Sequence, residues 1–206
     1  MQMETSPYLE GKWRNFFRFL DVDRDGVVSF RDYETLAKRF AELAGMSDLD
    51  AEEVRKSCLR WWWVMEKTIG RKTENMTENS FVESITTLMM SPHVNARHSM
   101  ASTWGAMFDV LDSDRDGQVT PEQLQLFYRC HGITDEFYVE SVFRNLDTNR
   151  DGLVTRQEFI QALQEFWFGG NPNEDFSFMF SRKTLYPPSK RSKRCPWLRK
   201  YFCCCH

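Results

Sequence analysis

Three stretches of the chain, starting at Asp21, Asp112 and Asp147, carry oxygen-bearing side chains at their first, third and fifth residues and a glycine at the sixth. A twelve-residue loop between two helices needs that spacing to bring six or seven hard oxygens onto one cation at roughly 2.3–2.6 Å. Its ligands stand at positions 1, 3, 5, 7, 9 and 12, and position 6 turns so sharply that a side chain opposes it. In the last loop the ligands are Asp147, Asn149, Asp151, the carbonyl of Leu153, Thr155 and Glu158, around Gly152. Every position there suits calcium.

The first loop holds Asp21, Asp23, Asp25, the carbonyl of Val27 and Ser29 around Gly26, but it closes with Asp32, one methylene shorter than glutamate. A one-oxygen grip favours the smaller, octahedral magnesium, so this loop is expected to accept magnesium in competition with calcium. The third loop holds Asp112, Asp114, Asp116, the carbonyl of Gln118 and Thr120 around Gly117, and closes with neutral Gln123. An amide offers one oxygen and no charge, so calcium is expected there with lower affinity than in the last loop; helical geometry points the neighbouring Glu122 elsewhere. One acidic, glycine-containing turn is a weak signal, because such turns also join helices without binding anything. Three of them, in register with the helices around them, are a strong one.

Helices that enter such loops must bury one stripe at spacing i, i+3, i+4, i+7. Trp13, Phe16, Phe17 and Leu20 form it before Asp21, Trp104, Met107, Phe108 and Leu111 before Asp112, and Val139, Val142, Phe143 and Leu146 before Asp147. Tyr33, Leu36, Ala37 and Phe40 continue it after the first loop, Leu124, Phe127 and Tyr128 after the third, and Phe159, Ala162, Leu163 and Phe166 after the last. Val28, Val119 and Val154 sit at position 8, where a β-branched residue joins a short ladder with a partner loop. Loops of this kind pair, so a fourth is expected. Trp61, Val64 and Met65 before it and Phe81, Ile85 and Leu88 after it place that loop at 69–80, with Met76 at position 8. Its ligand positions hold Ile69, Arg71, Thr73 and Ser80, none a carboxylate, so it is read as a metal-free structural partner.

The predicted fold is all-α: four helix-loop-helix units in two paired lobes, residues 1–90 and 91–180, followed by a tail at 181–206. With 206 residues and 41% apolar content, the body can form one large core or two small ones. No apolar run reaches the eighteen or so residues that span a bilayer, and the first residues do not read as a secretory signal, so a cytoplasmic protein is expected. Cys58 and Cys130 fall in helical stretches and read as buried thiols.

A net charge of −3 hides an asymmetry. Residues 181–206 contain eight basic side chains and no acid, leaving 19 basic against 30 acidic, a net −11, in residues 1–180. No nucleic-acid partner is expected. Pro187 and Pro188 set the tail apart, and it ends with Trp197, Tyr201, Phe202, Cys203, Cys204, Cys205 and His206. Basic residues, interfacial aromatics and a thiol cluster point to an anionic membrane surface, with S-palmitoylation of Cys203, Cys204 and Cys205 as the second anchoring signal. A solvated tail and a zinc-binding Cys/His cluster are the competing readings. Prenylation is not expected, since the residues after Cys203 are not aliphatic.

Working first, third and fourth loops beside a degenerate second resemble the invertebrate sarcoplasmic calcium-binding proteins and calexcitin. The stretch from Phe108 through Asp112 to Gly132-Ile-Thr is similar to theirs in particular. The resemblance covers roughly residues 8–186 and implies a compact helical calcium buffer or signal protein with ligands at the positions given above. The loop order and Gly11-Lys-Trp13 also resemble calcium-triggered photoproteins and coelenterazine-binding proteins. Photoproteins hold their luciferin with histidines in the first and last loop-flanking helices; here His93, His98, His131 and His206 lie in neither, and light emission is not expected. Trp61, Trp62, Trp63, Trp104 and Trp167 read as core before they read as a ligand cavity.

No phosphate loop, serine elbow or helical zinc pair appears, so no catalysis is expected. Buffer and sensor stay open: ten methionines favour a groove that opens onto a protein target, while mixed calcium and magnesium binding in the first loop favours a buffer. Calcium-regulated binding of a luciferin-type ligand is the alternative. The opposite charges of body and tail allow a further scheme, in which calcium neutralises the loops and frees the tail for a membrane.

Overall fold

The computed structural model describes residues 6–69, 76–91, 95–169 and 179–180. The first helix, α1 (Pro7–Leu20), starts on Ser6, whose hydroxyl accepts from the Tyr8 amide, with Pro7 where a missing N–H is harmless. After β1 (Val27–Val28) and α2 (Phe30–Ala44), Gly45 takes a left-handed φ of 59° and ends the helix. The long α3 (Asp48–Ile69), β2 (Met76–Thr77) and α4 (Glu78–Met90) complete the first half. The second half runs α5 (Ala96–Leu111), β3 (Gln118–Val119), α6 (Pro121–Cys130), α7 (Glu136–Leu146), β4 (Val154–Thr155) and α8 (Arg156–Phe168). The all-α expectation holds, with strands of two residues only.

Those strands pair the loops. β1 runs antiparallel to β2 with Val28 opposite Met76, and β3 to β4 with Val119 opposite Val154. All four position-8 side chains are buried to 1% exposure or less. The degenerate loop is therefore where the apolar stripes place it, and it supplies a ladder strand although its residues 70–75 lie outside the described ones.

Between the halves lies one continuous apolar core, which decides between one large core and two small ones. All twelve entering-helix positions are buried, and so are the eleven exit-helix positions of the first, third and last loops. The helices pack across the halves, with α3 against α5, α2 against α6 and α1 against α8. The Phe16 ring meets Phe81 at 6.3 Å, Trp167 at 5.1 Å and Phe180 at 4.7 Å, so a single α1 side chain touches both halves and the chain beyond α8. Polar ties reinforce this seam. The Lys12 ammonium donates to the Gly169 carbonyl at 2.7 Å, and the Tyr128 and Tyr138 hydroxyls both donate to the Met179 carbonyl. His131 stacks on Phe19 at 3.8 Å, with Nδ1 2.9 Å from the Phe19 carbonyl oxygen.

Cys58 and Cys130 are buried free thiols, as the helical stretches imply; burial pushes both up, Cys130 to about 12. The Trp61-Trp62-Trp63 run splits by helical phase. Trp61 and Trp62 face the core, whereas Trp63 is 61% exposed. Trp61→Ala is expected to destabilise the protein by about 3–5 kcal/mol, the cost of truncating a buried indole. Trp63→Ala should change stability by less than about 0.5 kcal/mol. Urea unfolding of both variants checks the assignment, and equal losses would refute it.

Candidate metal centre

Each loop begins where its entering helix ends. The backbone N–H groups of Asp21, Asp112 and Asp147 still bond to the helix, at Phe17, Phe108 and Phe143, while their side chains open the loops. The sixth-position glycines have φ of 85°, 89° and 88°, and the fourth-position arginines, Arg24, Arg115 and Arg150, have φ of 66°, 61° and 62°. The three backbones thus follow one path. A left-handed arginine costs on the order of 1 kcal/mol, which the loop bears because its carboxylates must turn inward. The sequence reading passed over these arginines; the same residue at position 4 of all three loops was the signal.

Hydrogen bonds aim the first ligands. Asp21, Asp112 and Asp147 accept from the amides of Gly26, Gly117 and Gly152 at 3.0–3.1 Å, five residues ahead. Asp25, Asp116 and Asp151 accept from the seventh-position amides of Val27, Gln118 and Leu153 at 2.8–2.9 Å, which ties each fifth-position carboxylate to the loop backbone. Ligand atoms of Asp21, Asp23 and Asp25 lie within 4.8 Å of one another, as do those of Asp112, Asp114 and Asp116. Three carboxylates that close repel unless a cation sits among them. The donor set is all oxygen, which fits calcium or magnesium and does not favour softer metals.

Position 9 is a helix cap in every loop. Ser29, Thr77, Thr120 and Thr155 each cap an exit helix with the side-chain hydroxyl. In the three metal loops the twelfth residue returns the bond. Glu158 Oε2 accepts from the Thr155 amide at 2.9 Å, and Oε1 accepts from the Thr148 amide at 3.1 Å and the Thr148 hydroxyl at 2.8 Å. Asp32, though shorter, makes the corresponding pair: Oδ1 accepts from the Val22 amide and Oδ2 from the Ser29 amide, both at 2.8 Å. Gln123 keeps only half of this. Its Oε1 accepts from the Thr120 amide, but Nε2 donates to Asp114 at 3.1 Å, engaging a third-position ligand with a donor. Glu122 is exposed beside it, as helical geometry requires. In the degenerate loop Ser80 bonds back to the Thr77 carbonyl, so the cap survives there without a carboxylate.

Electrostatics separate the loops further. Burial pushes the carboxyls of Asp21, Asp32 and Asp112 above the usual range, helped by neighbouring aspartates and opposed by backbone amides. Glu158 is also raised by burial, but bonds from Thr155, Thr148 and Asn149 outweigh that and hold it at about 2. Glu158 therefore keeps its charge in acid that neutralises Asp32, the closing carboxylate of the first loop.

With this geometry described, known proteins can be set beside it. The EF-hand domain pair matches residues 102–164, and the single EF hand matches residues 14–37. The luciferin-binding protein of Renilla reniformis is 31% identical over 161 residues, 77% of this chain and 85% of its own length. This chain belongs to that EF-hand family. The sarcoplasmic calcium-binding protein of Mizuhopecten yessoensis is 24% identical over 160 residues, 77% of this chain and 89% of its own. The crystal structure of the coelenterazine-binding protein from Renilla muelleri, in the calcium-loaded apo form, superposes with a TM-score of 0.73 at 24% identity, over 86% of this chain and 99% of that one. Both resemblances drawn from the loop order are thereby met, and the protein is an EF-hand calcium-binding protein.

In this EF-hand protein, Gln123→Glu is expected to raise calcium affinity at the third loop by roughly tenfold or more, and Glu158→Gln to lower it at the last by a similar factor. Calorimetric titration of the two variants checks both signs. On acidification, the raised carboxyls of Asp21, Asp32 and Asp112 take up protons before Glu158 does, so the first and third loops should release calcium at higher pH than the last. Loss of the last site first would contradict this order.

Proposed function

We propose that the protein is an intracellular calcium buffer, cytoplasmic and held near an anionic membrane by its tail, with magnesium competing at the first loop. The observation that carries the buffer reading is where the apolar faces go. Met65, Met76, Met100 and Met107 are buried in the shared core with the helix stripes. The exposed large apolar side chains, Leu43, Leu49, Trp63, Met90 and Phe137, are scattered over four helices and form no methionine-rich groove among the described residues. A sensor must open such a groove on binding calcium, and here that would part the core that both halves share. For magnesium, the support is the short side chain of Asp32. The tail, with Cys203, Cys204 and Cys205, lies outside the described residues, and its membrane role rests on charge and composition alone. No catalytic step belongs to this reading.

Calcium-regulated binding of a luciferin-type ligand is the second reading, favoured by one feature of the core. The indole N–H groups of Trp13, Trp61, Trp104 and Trp167 are buried without a hydrogen-bond partner among the described residues, an uncommon debt for a settled core. Three of these indoles line a central cavity with Met65, Met100 and Met107. Its volume is about 10 Å³, room for one water at most, whereas pockets for drug-sized ligands run to roughly 300–1,000 Å³. Ligand entry would require the core to open, which keeps this reading second.

Calcium titration with and without magnesium should find three sites and a magnesium effect confined to the first. An apolar dye should show no calcium-dependent rise in fluorescence; a large rise would replace buffer with sensor. Coelenterazine that quenched the tryptophans at micromolar concentration, differently with and without calcium, would promote the second reading.

A further inference from the structure

The outward face of α3 has no part in metal binding. Its inward stripe, Val54, Cys58, Trp61, Trp62 and Met65, is buried; Trp62 takes the place that the spacing assigned to Val64, which with Leu59 is half-buried at the edge of the core. On the other side Lys56, Leu59, Arg60, Trp63, Val64 and Lys67 line a shallow open groove of about 410 Å³. The spacing is that of one helix face, so all six present together. Three of these residues are cations, three are apolar, and no acid lines the groove, although residues 1–180 carry a net −11. Two of the cations have acidic neighbours beyond the rim: Lys56 reaches Glu53 at 2.7 Å and Arg60 reaches Asp109 at 3.2 Å. The Lys56 and Arg60 side chains are themselves exposed, and Asp109 is shared with Arg156, so both groove cations stay open to a further anion.

We propose that this α3 face, with Trp63 at its centre and Lys56, Arg60 and Lys67 around it, docks on an anionic phospholipid surface. An indole held out of the core beside cations is the combination that settles at a lipid headgroup layer, where the ring finds apolar chains and the cations find phosphate or carboxylate. The open, shallow form of the groove fits a flat surface better than it fits an inserted peptide. Residues 181–206 carry the same chemistry, eight cations with Trp197, Tyr201 and Phe202. Two contacts with one surface act together, since the first raises the effective concentration of the second. The inference does not depend on calcium buffering, and either can fail while the other stands.

The test uses the full-length chain carrying Trp197→Phe, so that the tail contributes no tryptophan signal. Trp13, Trp61, Trp62, Trp104 and Trp167 are all buried, which leaves Trp63 as the indole that a quencher in a bilayer can reach. Vesicles of phosphatidylserine and brominated phosphatidylcholine should quench its emission, and vesicles of brominated phosphatidylcholine alone should not. Adding Trp63→Phe should abolish the quenching while far-ultraviolet circular dichroism stays unchanged. Lys67→Glu should weaken partitioning onto the anionic vesicles by roughly fivefold or more. Quenching that persists in Trp63→Phe, or partitioning that is equal in Lys67→Glu, overturns the proposal. So does protection of Trp63 from iodide by poly-glutamate but not by anionic vesicles, which would assign the face to an acidic protein segment.

Discussion

A reciprocal hydrogen bond between loop positions 9 and 12 underlies the rest of the structure. Ser29 with Asp32, Thr120 with Gln123 and Thr155 with Glu158 each cap an exit helix while tying the closing ligand to its loop. One pair of bonds therefore sets the direction of the helix and the position of the last oxygen. Helix direction decides whether the apolar stripes converge, and oxygen position decides whether the cage can close. Cation binding and core packing share this joint, and the degenerate loop keeps Thr77 as a cap although none of its ligand positions holds a carboxylate.

The three metal loops differ at the same joint. Glu158 spans the loop from position 9 to position 2, and its hydrogen bonds keep it charged. Asp32 makes the same span on a shorter side chain by being more deeply buried, at 1% exposure, and burial raises its carboxyl. Gln123 gives up the second anchor and turns a donor toward Asp114. A single fold thus holds a loop closed by a doubly anchored glutamate, a loop closed by a shorter, buried aspartate, and a loop with one anchor and no closing charge.

The two halves are joined by packed rings and by hydrogen bonds. Phe16, Lys12 and the paired hydroxyls of Tyr128 and Tyr138 link α1, α6, α7, the end of α8 and Met179. Opening one pair of helices would disturb the packing of the other, so apolar surface is hard to expose without loosening the whole core. The four buried indoles are the exception, since their N–H groups were taken from water without a protein acceptor among the described residues.

The sequence alone determined the register of the three acidic twelve-residue loops, the place of the silent loop between Trp61 and Phe81, and the apolar stripes of the helices around the three acidic loops. All of these are local: a twelve-residue oxygen cage and a 3.6-residue helical period leave one register that satisfies both. Only the tertiary structure decided that the halves share one core, that Gln123 turns toward Asp114, that Trp13, Trp61, Trp104 and Trp167 converge, and that Trp63 faces outward on a cationic groove. Those outcomes depend on which distant helices cover a given face, as α5 and α2 cover the inner side of α3. Spacing along one helix carries no information about its neighbours.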